Sequence, residues 1–215
     1  MTVEAVRDVI LVHGLWTPAA VLWPLAWRLA RRGYAPRLFS YPGRGAFTDN
    51  VASFARSART SGRAAHVVGH SLGGVLALAA LNANLDIALG ALVLIAAPAR
   101  GSTSARRLAA HPFGRWMLGE SALPLCGGES ARWERRELLG VIAGTRPLGA
   151  GRLLGRLPAA NDGVVMRSET EVNGASDKVC LDHGHTGLLM SRELAARVDE
   201  FLREGRFAHA APPCV

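Results

Sequence analysis

A serine, a histidine and an aspartate stand in an order that suits nucleophilic catalysis. Ser71 is the middle of Gly69-His70-Ser71-Leu72-Gly73. A serine hydroxyl is a weak nucleophile until a base takes its proton, and the base needs a carboxylate to hold its tautomer. Four histidines follow Ser71: His111, His183, His185 and His209. His111 falls in an irregular stretch and His209 in the C-terminal tail, which leaves the pair flanking Gly184. His185 is the favoured base, since it lies just beyond the last apolar run and before the final helical pattern. Asp162, in the turn Asn161-Asp162-Gly163, is the favoured acid, with Asp182 and Asp177 as alternatives. Asp182, His183 and His185 also resemble a metal cluster, but no second ligand group stands at a recognisable spacing. No metal or cofactor is expected.

These residues need elements to hold them. Ala64-Ala65-His66-Val67-Val68 reads as a strand and residues 74–81 as a helix, so Ser71 occupies a sharp strand-to-helix turn. Such a turn strains its central residue and requires small neighbours two positions away on each side. With 24 glycines in the chain, the five-residue pattern alone carries little weight. The flanking strand and helix, and the partners in order, give it weight. The N–H of Leu72 opens the helix and can donate to a developing oxyanion. The N–H of Leu15 is the second donor. His13-Gly14-Leu15-Trp16 ends the apolar run Val9-Ile10-Leu11-Val12, and Gly14 lets the chain turn toward the serine.

The rest of the chain alternates in the same way. A helix is predicted over residues 19–32, with Pro24 shortening or kinking it. Strands follow at residues 37–41, 91–95, 138–143 and 179–181, with helices from Thr48 to about residue 60 and over residues 187–203. Strand–helix alternation predicts a doubly wound α/β domain with a parallel sheet, here spanning residues 1–204. Residues 99–136 show no clean strand and read as a loop excursion over the carboxyl ends of the strands, where such sheets bind ligands. Residues 144–160 form a Gly- and Arg-rich loop with a short helix candidate. The tail, residues 205–215, is expected to fray.

The charge of +8 comes almost wholly from arginine, because Lys178 is the only lysine. The arginines are scattered, with no block longer than two, so they predict a solvated surface and no nucleic-acid patch. Three cysteines, Cys126, Cys180 and Cys214, have neither metal spacing nor the pattern of a disulfide framework. No apolar run is long enough to cross a bilayer, so no stable membrane insertion is expected, and peripheral lipid contact is left open. The N-terminus runs straight into the first strand with no signal-peptide pattern, and a cytoplasmic location is expected.

His13-Gly14-Leu15-Trp16, Gly69-His70-Ser71-Leu72-Gly73-Gly74, Asn161-Asp162-Gly163-Val164-Val165 and Gly184-His185-Thr186-Gly187-Leu188-Leu189 together resemble the α/β-hydrolase superfamily. More narrowly they resemble small bacterial lipase- and esterase-like serine hydrolases. The resemblance implies Ser71 as nucleophile, His185 as base, Asp162 as acid, and the Leu15 and Leu72 amides as an oxyanion hole. It also implies a reduced fold: about six mainly parallel strands, helices on both faces, no initial antiparallel hairpin and no separate cap domain. The expected activity is hydrolysis of carboxylic esters of small or medium neutral acyl groups. Acyl transfer or thioester cleavage on the same residues is the alternative, and a non-catalytic module is the reading from another class. Leu15, Trp16 and Leu72 are expected to wall a shallow, largely uncovered pocket. Trp116 and Trp133 are the expected anchors if residues 99–136 act as a lid.

Overall fold

Continuous apolar runs make strands that are covered on both faces, and such strands form the middle of a sheet here. The computed structural model describes residues 6–60, 62–127, 131–148 and 155–208. The strands are β1 (Asp8–Val12), β2 (Ala35–Phe39), β3 (Ala65–His70), β4 (Leu89–Ile95), β5 (Leu138–Gly144) and β6 (Asp177–Leu181). They form a six-stranded sheet in the order β2-β1-β3-β4-β5-β6, and every neighbouring pair is parallel. On one face, Leu25 and Leu29 of α1 (Trp23–Ala30) and Leu194, Val198 and Phe201 of α8 (Arg192–Glu204) pack on Val9, Leu11 and Val93. On the other, Phe54 of α2 (Phe47–Arg59) and Leu72, Leu76 and Leu81 of α3 (Leu72–Ala83) pack on Ile10, Val12, Val67 and Leu92. The expected architecture of about six parallel strands with helices on both faces is the one the chain adopts, and the described residues form no separate cap domain.

Local departures have physical causes. Residues 19–32 split into a 3-10 turn, Ala19–Leu22, and α1. Pro24 then falls in the first turn of α1, where its missing N–H has no intrahelical partner to lose, and no kink arises. The last helix also divides, into α7 (Gly187–Met190) and α8. Ser191 stands between them in extended conformation, and its hydroxyl oxygen accepts the N–H groups of Glu193 and Leu194. Residues 99–136 are not an irregular loop. They fold into α4 (Thr103–Ala109), α5 (Pro112–Leu118) and α6 (Ala122–Cys126), whose Ala105, Leu118 and Leu125 join the core shared by α2 and α3. Short helices of this kind depend on their ends: the Ser102 hydroxyl caps α4 and Pro112 opens α5.

The chain does not fray at Gly205. Phe207 is buried with its ring centroid 4.9 Å from that of Phe201, and its N–H donates to Asp177 Oδ2 at 2.8 Å. Asp177 Oδ1 accepts the N–H of Lys178 at 2.8 Å, on the outer strand β6. At the opposite outer strand the Ala35 N–H donates to Arg7, so Pro36, next along, stands where an N–H would face outward. Residues 209–215 and 149–154 lie outside the described residues, and with them the end of the tail and part of the short helix candidate. Cys126 is free, whereas Cys180 is disulfide-bonded; the pairing removes one support for the cytoplasmic expectation. Among the described residues, no helix is long and apolar enough to cross a membrane.

Candidate active site

The turn between β3 and α3 holds Ser71 at φ 54° and ψ −126°, a strained left-handed backbone for a residue with a side chain. Two backbone bonds hold it there. Its N–H donates to the Ile95 carbonyl at 2.9 Å, and its own carbonyl accepts the Gly74 N–H at 3.0 Å. The flanking glycines are required by close approach. A Cβ on Gly69 would stand 2.5 Å from the Gly74 Cα, and one on Gly73 would run into the His13 carbonyl. Bare backbone at Gly73 thus lets α3 seat directly against the end of β1.

Ser71, His185 and Asp162 are in hydrogen-bond contact. The Ser71 hydroxyl is 3.1 Å from His185 Nε2, and His185 Nδ1 is 2.7 Å from Asp162 Oδ2. Asp162 is almost wholly buried, and its other oxygen accepts the N–H groups of Val164 and Val165 at 2.9 and 2.7 Å. The His185 N–H in turn donates to the Asp162 carbonyl at 2.9 Å. The carboxylate is therefore fixed by its own turn and fixes the imidazole. The alternatives stand elsewhere. Asp182 pairs with Arg146 at 2.7 Å, Asp177 caps backbone beside Phe207, and His183 Nε2 meets Ser191 Oγ at 3.0 Å and Glu193 at 3.3 Å.

The turn carrying Gly14 and Leu15 lies against the serine: a Cβ on Gly14 would stand 3.0 Å from that of Ser71. Tyr41 braces this turn. Its hydroxyl donates to the His13 carbonyl at 2.9 Å, its N–H donates to His13 Nε2 at 3.3 Å, and the two rings stack at 4.5 Å. His13 Nδ1–H closes the network on the Gly14 carbonyl at 2.8 Å. With one ring nitrogen donating and the other accepting, His13 is neutral, and burial lowers its pKa further. Leu72 opens α3, where a helix leaves its first N–H groups without intrahelical partners.

A cavity of about 270 Å³ opens beside the Ser71 hydroxyl. Leu15 and Trp16 line it; the Leu72 side chain does not, because it points into the core under α3. The far wall is Leu108, Leu118 and Leu125 of the three short helices, with Val164 and Val165 of the aspartate turn. Three short helices stand beside this cavity where a loop excursion was expected. Glu169, itself buried, fastens that wall: Oε1 accepts the Thr103 N–H at 2.5 Å and Oε2 the Met166 N–H at 2.8 Å, with Arg106 3.7 Å away. Trp133 is buried, its indole N–H on the Glu137 carbonyl at 2.6 Å, and so cannot anchor a lid. Trp116 is exposed.

Sequence reasoning missed His70. Its ring is buried 4.8 Å from that of His185, and its Nε2–H donates to the His185 carbonyl at 3.2 Å. Burial, first, and the neighbouring His185, second, push its pKa down to about 3. His70 therefore stays neutral beside the base. The available signal was its position within the serine motif, next to the nucleophile. Tyr41 and Glu169 carried no comparable signal, since their partners are distant in sequence.

With this fold and geometry, comparison with known proteins is direct. The model of the alpha/beta hydrolase family matches residues 9–172, and the chain belongs to that family. The match ends before His185. No curated protein sequence matches the chain. Among solved structures, Bacillus licheniformis lipase BlEst2 in its propeptide form has a TM-score of 0.76 at 18% identity, over 91% of this chain and 50% of that one. Its mature form gives 0.71 at 18% identity, over 93% and 92%. Phospholipase PlaB from Legionella pneumophila gives 0.69 at 14% identity, over 93% of this chain and 60% of that one. The chain thus spans only half of the propeptide form and three-fifths of the phospholipase, and identities this low establish likeness of fold alone.

Proposed function

We propose that this protein is a serine hydrolase of carboxylic esters, acting through an acyl-enzyme. The observation that carries the reading is the unbroken line from Ser71 Oγ through both ring nitrogens of His185 to Asp162. His185 Nε2 takes the hydroxyl proton as Ser71 attacks the acyl carbon, and Asp162 stabilises the imidazolium. The amides of Leu15 and Leu72 receive the oxyanion. The tetrahedral intermediate collapses with the proton passing from His185 to the leaving alcohol. Water, deprotonated by His185, then attacks the acyl-serine, and collapse returns the proton to Ser71 and releases the acid. No cofactor enters the balance.

The cavity walls are largely aliphatic, which favours a neutral acyl group of short to medium length. The similarity in fold to a lipase and a phospholipase supports the same class of ester. A fluorophosphonate probe tests the reading, with Ser71→Ala as control. Wild type labelled and the variant unlabelled is the expected result, together with turnover across nitrophenyl esters of increasing acyl length. A wild-type protein inert to the probe and to every ester overturns it.

A further inference from the structure

Tryptophan is highly buried on average in folded proteins, yet Trp16, Trp23, Trp27 and Trp116 are each more than half exposed. Two of these belong to one surface at the cavity mouth. The Trp16 indole N–H donates to the Met117 carbonyl at 3.0 Å, and Trp116 stacks on exposed Phe113 at 5.6 Å. Phe113 and Trp116 are three residues apart on α5, and so share a face; Leu118 of the same helix turns inward to the cavity. Leu123 of α6, the next helix, is also exposed. A short amphipathic wall would ordinarily turn polar side chains outward; α5 turns aromatic ones outward.

Cations frame this patch. The Arg44 guanidinium lies 4.5 Å from the Trp116 ring centre and donates to the Trp116 carbonyl at 2.7 Å. Arg115 and Trp116 share a shallow groove with Ala110, Pro112 and Gly119. Glu120 is the one acidic residue from 99 to 127, a stretch that contains Arg100, Arg106, Arg107 and Arg115. Arg100 and Arg106 face Glu171 and Glu169, whereas Arg44 and Arg115 are exposed beside the aromatic patch. An indole sits well where apolar and wet media meet, and arginines near an anionic lipid surface each add attraction.

We propose that the outer face of α5, with Trp16, Leu123, Arg44 and Arg115, docks on a bilayer that contains anionic phospholipid. Phe113, Trp116 and Leu123 enter the headgroup boundary while the two arginines meet lipid phosphates, and the cavity mouth faces the lipid surface. Charge complementarity selects this occupant: the chain carries a net charge of +8, and the patch combines aromatic side chains with guanidinium groups. A purely apolar partner would leave Arg44 and Arg115 unmatched. The docking stands whether or not the hydrolytic reading does.

Sedimentation with large unilamellar vesicles tests it, comparing pure phosphatidylcholine with equal parts phosphatidylcholine and phosphatidylglycerol. The wild type is expected to bind the mixed vesicles at least tenfold more tightly, and added salt should weaken that binding. Phe113→Ser/Trp116→Ser should reduce mixed-vesicle binding at least tenfold while the rate on a soluble short-chain nitrophenyl ester stays within twofold. Arg115→Glu, a surface change that spares the aromatic pair, should reduce it by at least about fivefold, on the order of one lost arginine contact. Trp23→Ser/Trp27→Ser, on α1, should bind as wild type. Failure of the wild type to prefer mixed vesicles overturns the proposal, as does loss of binding in the α1 variant with none in the α5 variant. Vesicle binding by a protein that hydrolyses no ester would refute the functional reading and leave the docking intact.

Discussion

The serine turn and the cavity wall face each other across about 270 Å³, but they are built by different means. Around Ser71 the backbone touches backbone: Gly73 lies against the His13 carbonyl, Gly69 against Gly74, and the Ser71 N–H is held by Ile95. The helices of the wall also meet through backbone, Gly114 against the Leu108 carbonyl and the Ser102 N–H on the Leu125 carbonyl. The face they turn to the cavity, however, is made of side chains, the inward leucines, with the Ser102 and Glu169 caps behind them. Backbone contact leaves no tolerance for added atoms, whereas side-chain contact can be retuned by substitution. The difference predicts that changes at the turn abolish chemistry and that changes at the wall redirect it.

The largest effects belong to the turn. Ser71→Ala and His185→Ala should each lower kcat by roughly 10⁴ to 10⁶, measured on a soluble ester, because the residues act as a unit. His183→Ala, at a residue held by Ser191 and Glu193 at the start of α8, should change kcat less than twofold. A dead His183 variant beside an active His185 variant would reverse the assignment of the base.

Asp162→Asn should lower kcat by about 10⁴ and leave the protein folded. Its amide oxygen can still accept the Val164 and Val165 N–H groups, which turns the NH₂ toward His185 and favours the wrong tautomer. Near-normal turnover by this variant would remove Asp162 from the mechanism.

The wall should respond in kind rather than in degree. Leu125→Ala enlarges the cavity and should move the preferred acyl chain to a longer one, with kcat on the shortest ester within about threefold. Loss of a buried leucine should also destabilise the fold by about 2–5 kcal/mol, read by urea denaturation. An unchanged chain-length profile would mean that the acyl group lies elsewhere.

The smallest effect concerns His70. Its pKa is about 3 when folded against an ordinary value of 6.5, so the unfolded chain binds the proton first. Its neutral burial thus contributes stability that is fully present above pH 6.5 and is lost as pH falls toward 3. The slope in that window is at most about 1.4 kcal/mol per pH unit. His70→Gln, which can keep a donor toward the His185 carbonyl, should flatten the fall of denaturation midpoint between pH 6.5 and 4. An identical slope in both proteins would show that folding does not lower the pKa of His70.

The sheet and the serine turn were legible because each was written locally. Apolar runs such as Val9–Val12 mark strands buried on both faces, and Gly69 and Gly73 mark a turn that admits no Cβ. The three wall helices were not legible, because none exceeds seven residues and so none shows a full amphipathic period. The first of them is held at its start by Glu169, which sits far along the chain and reaches Thr103 only in the fold. The same holds for Tyr41 and His13, and for Phe207 in a tail that was expected to fray. Leu72 was misread for a different reason. Its amide and its side chain leave the backbone in different directions, and only the side chain is committed to the core.

The two outer strands carry a further consequence for how copies of this protein meet. A free strand edge is a row of donors and acceptors that an extended chain can join. Here Pro36 lacks the outward N–H on β2, and Asp177 occupies that of Lys178 on β6 while also drawing Phe207 alongside. Neither border offers an uninterrupted template for strand addition. Strand addition at either border would therefore meet a missing donor or an occupied one, which disfavours growth of the sheet by edge pairing between copies.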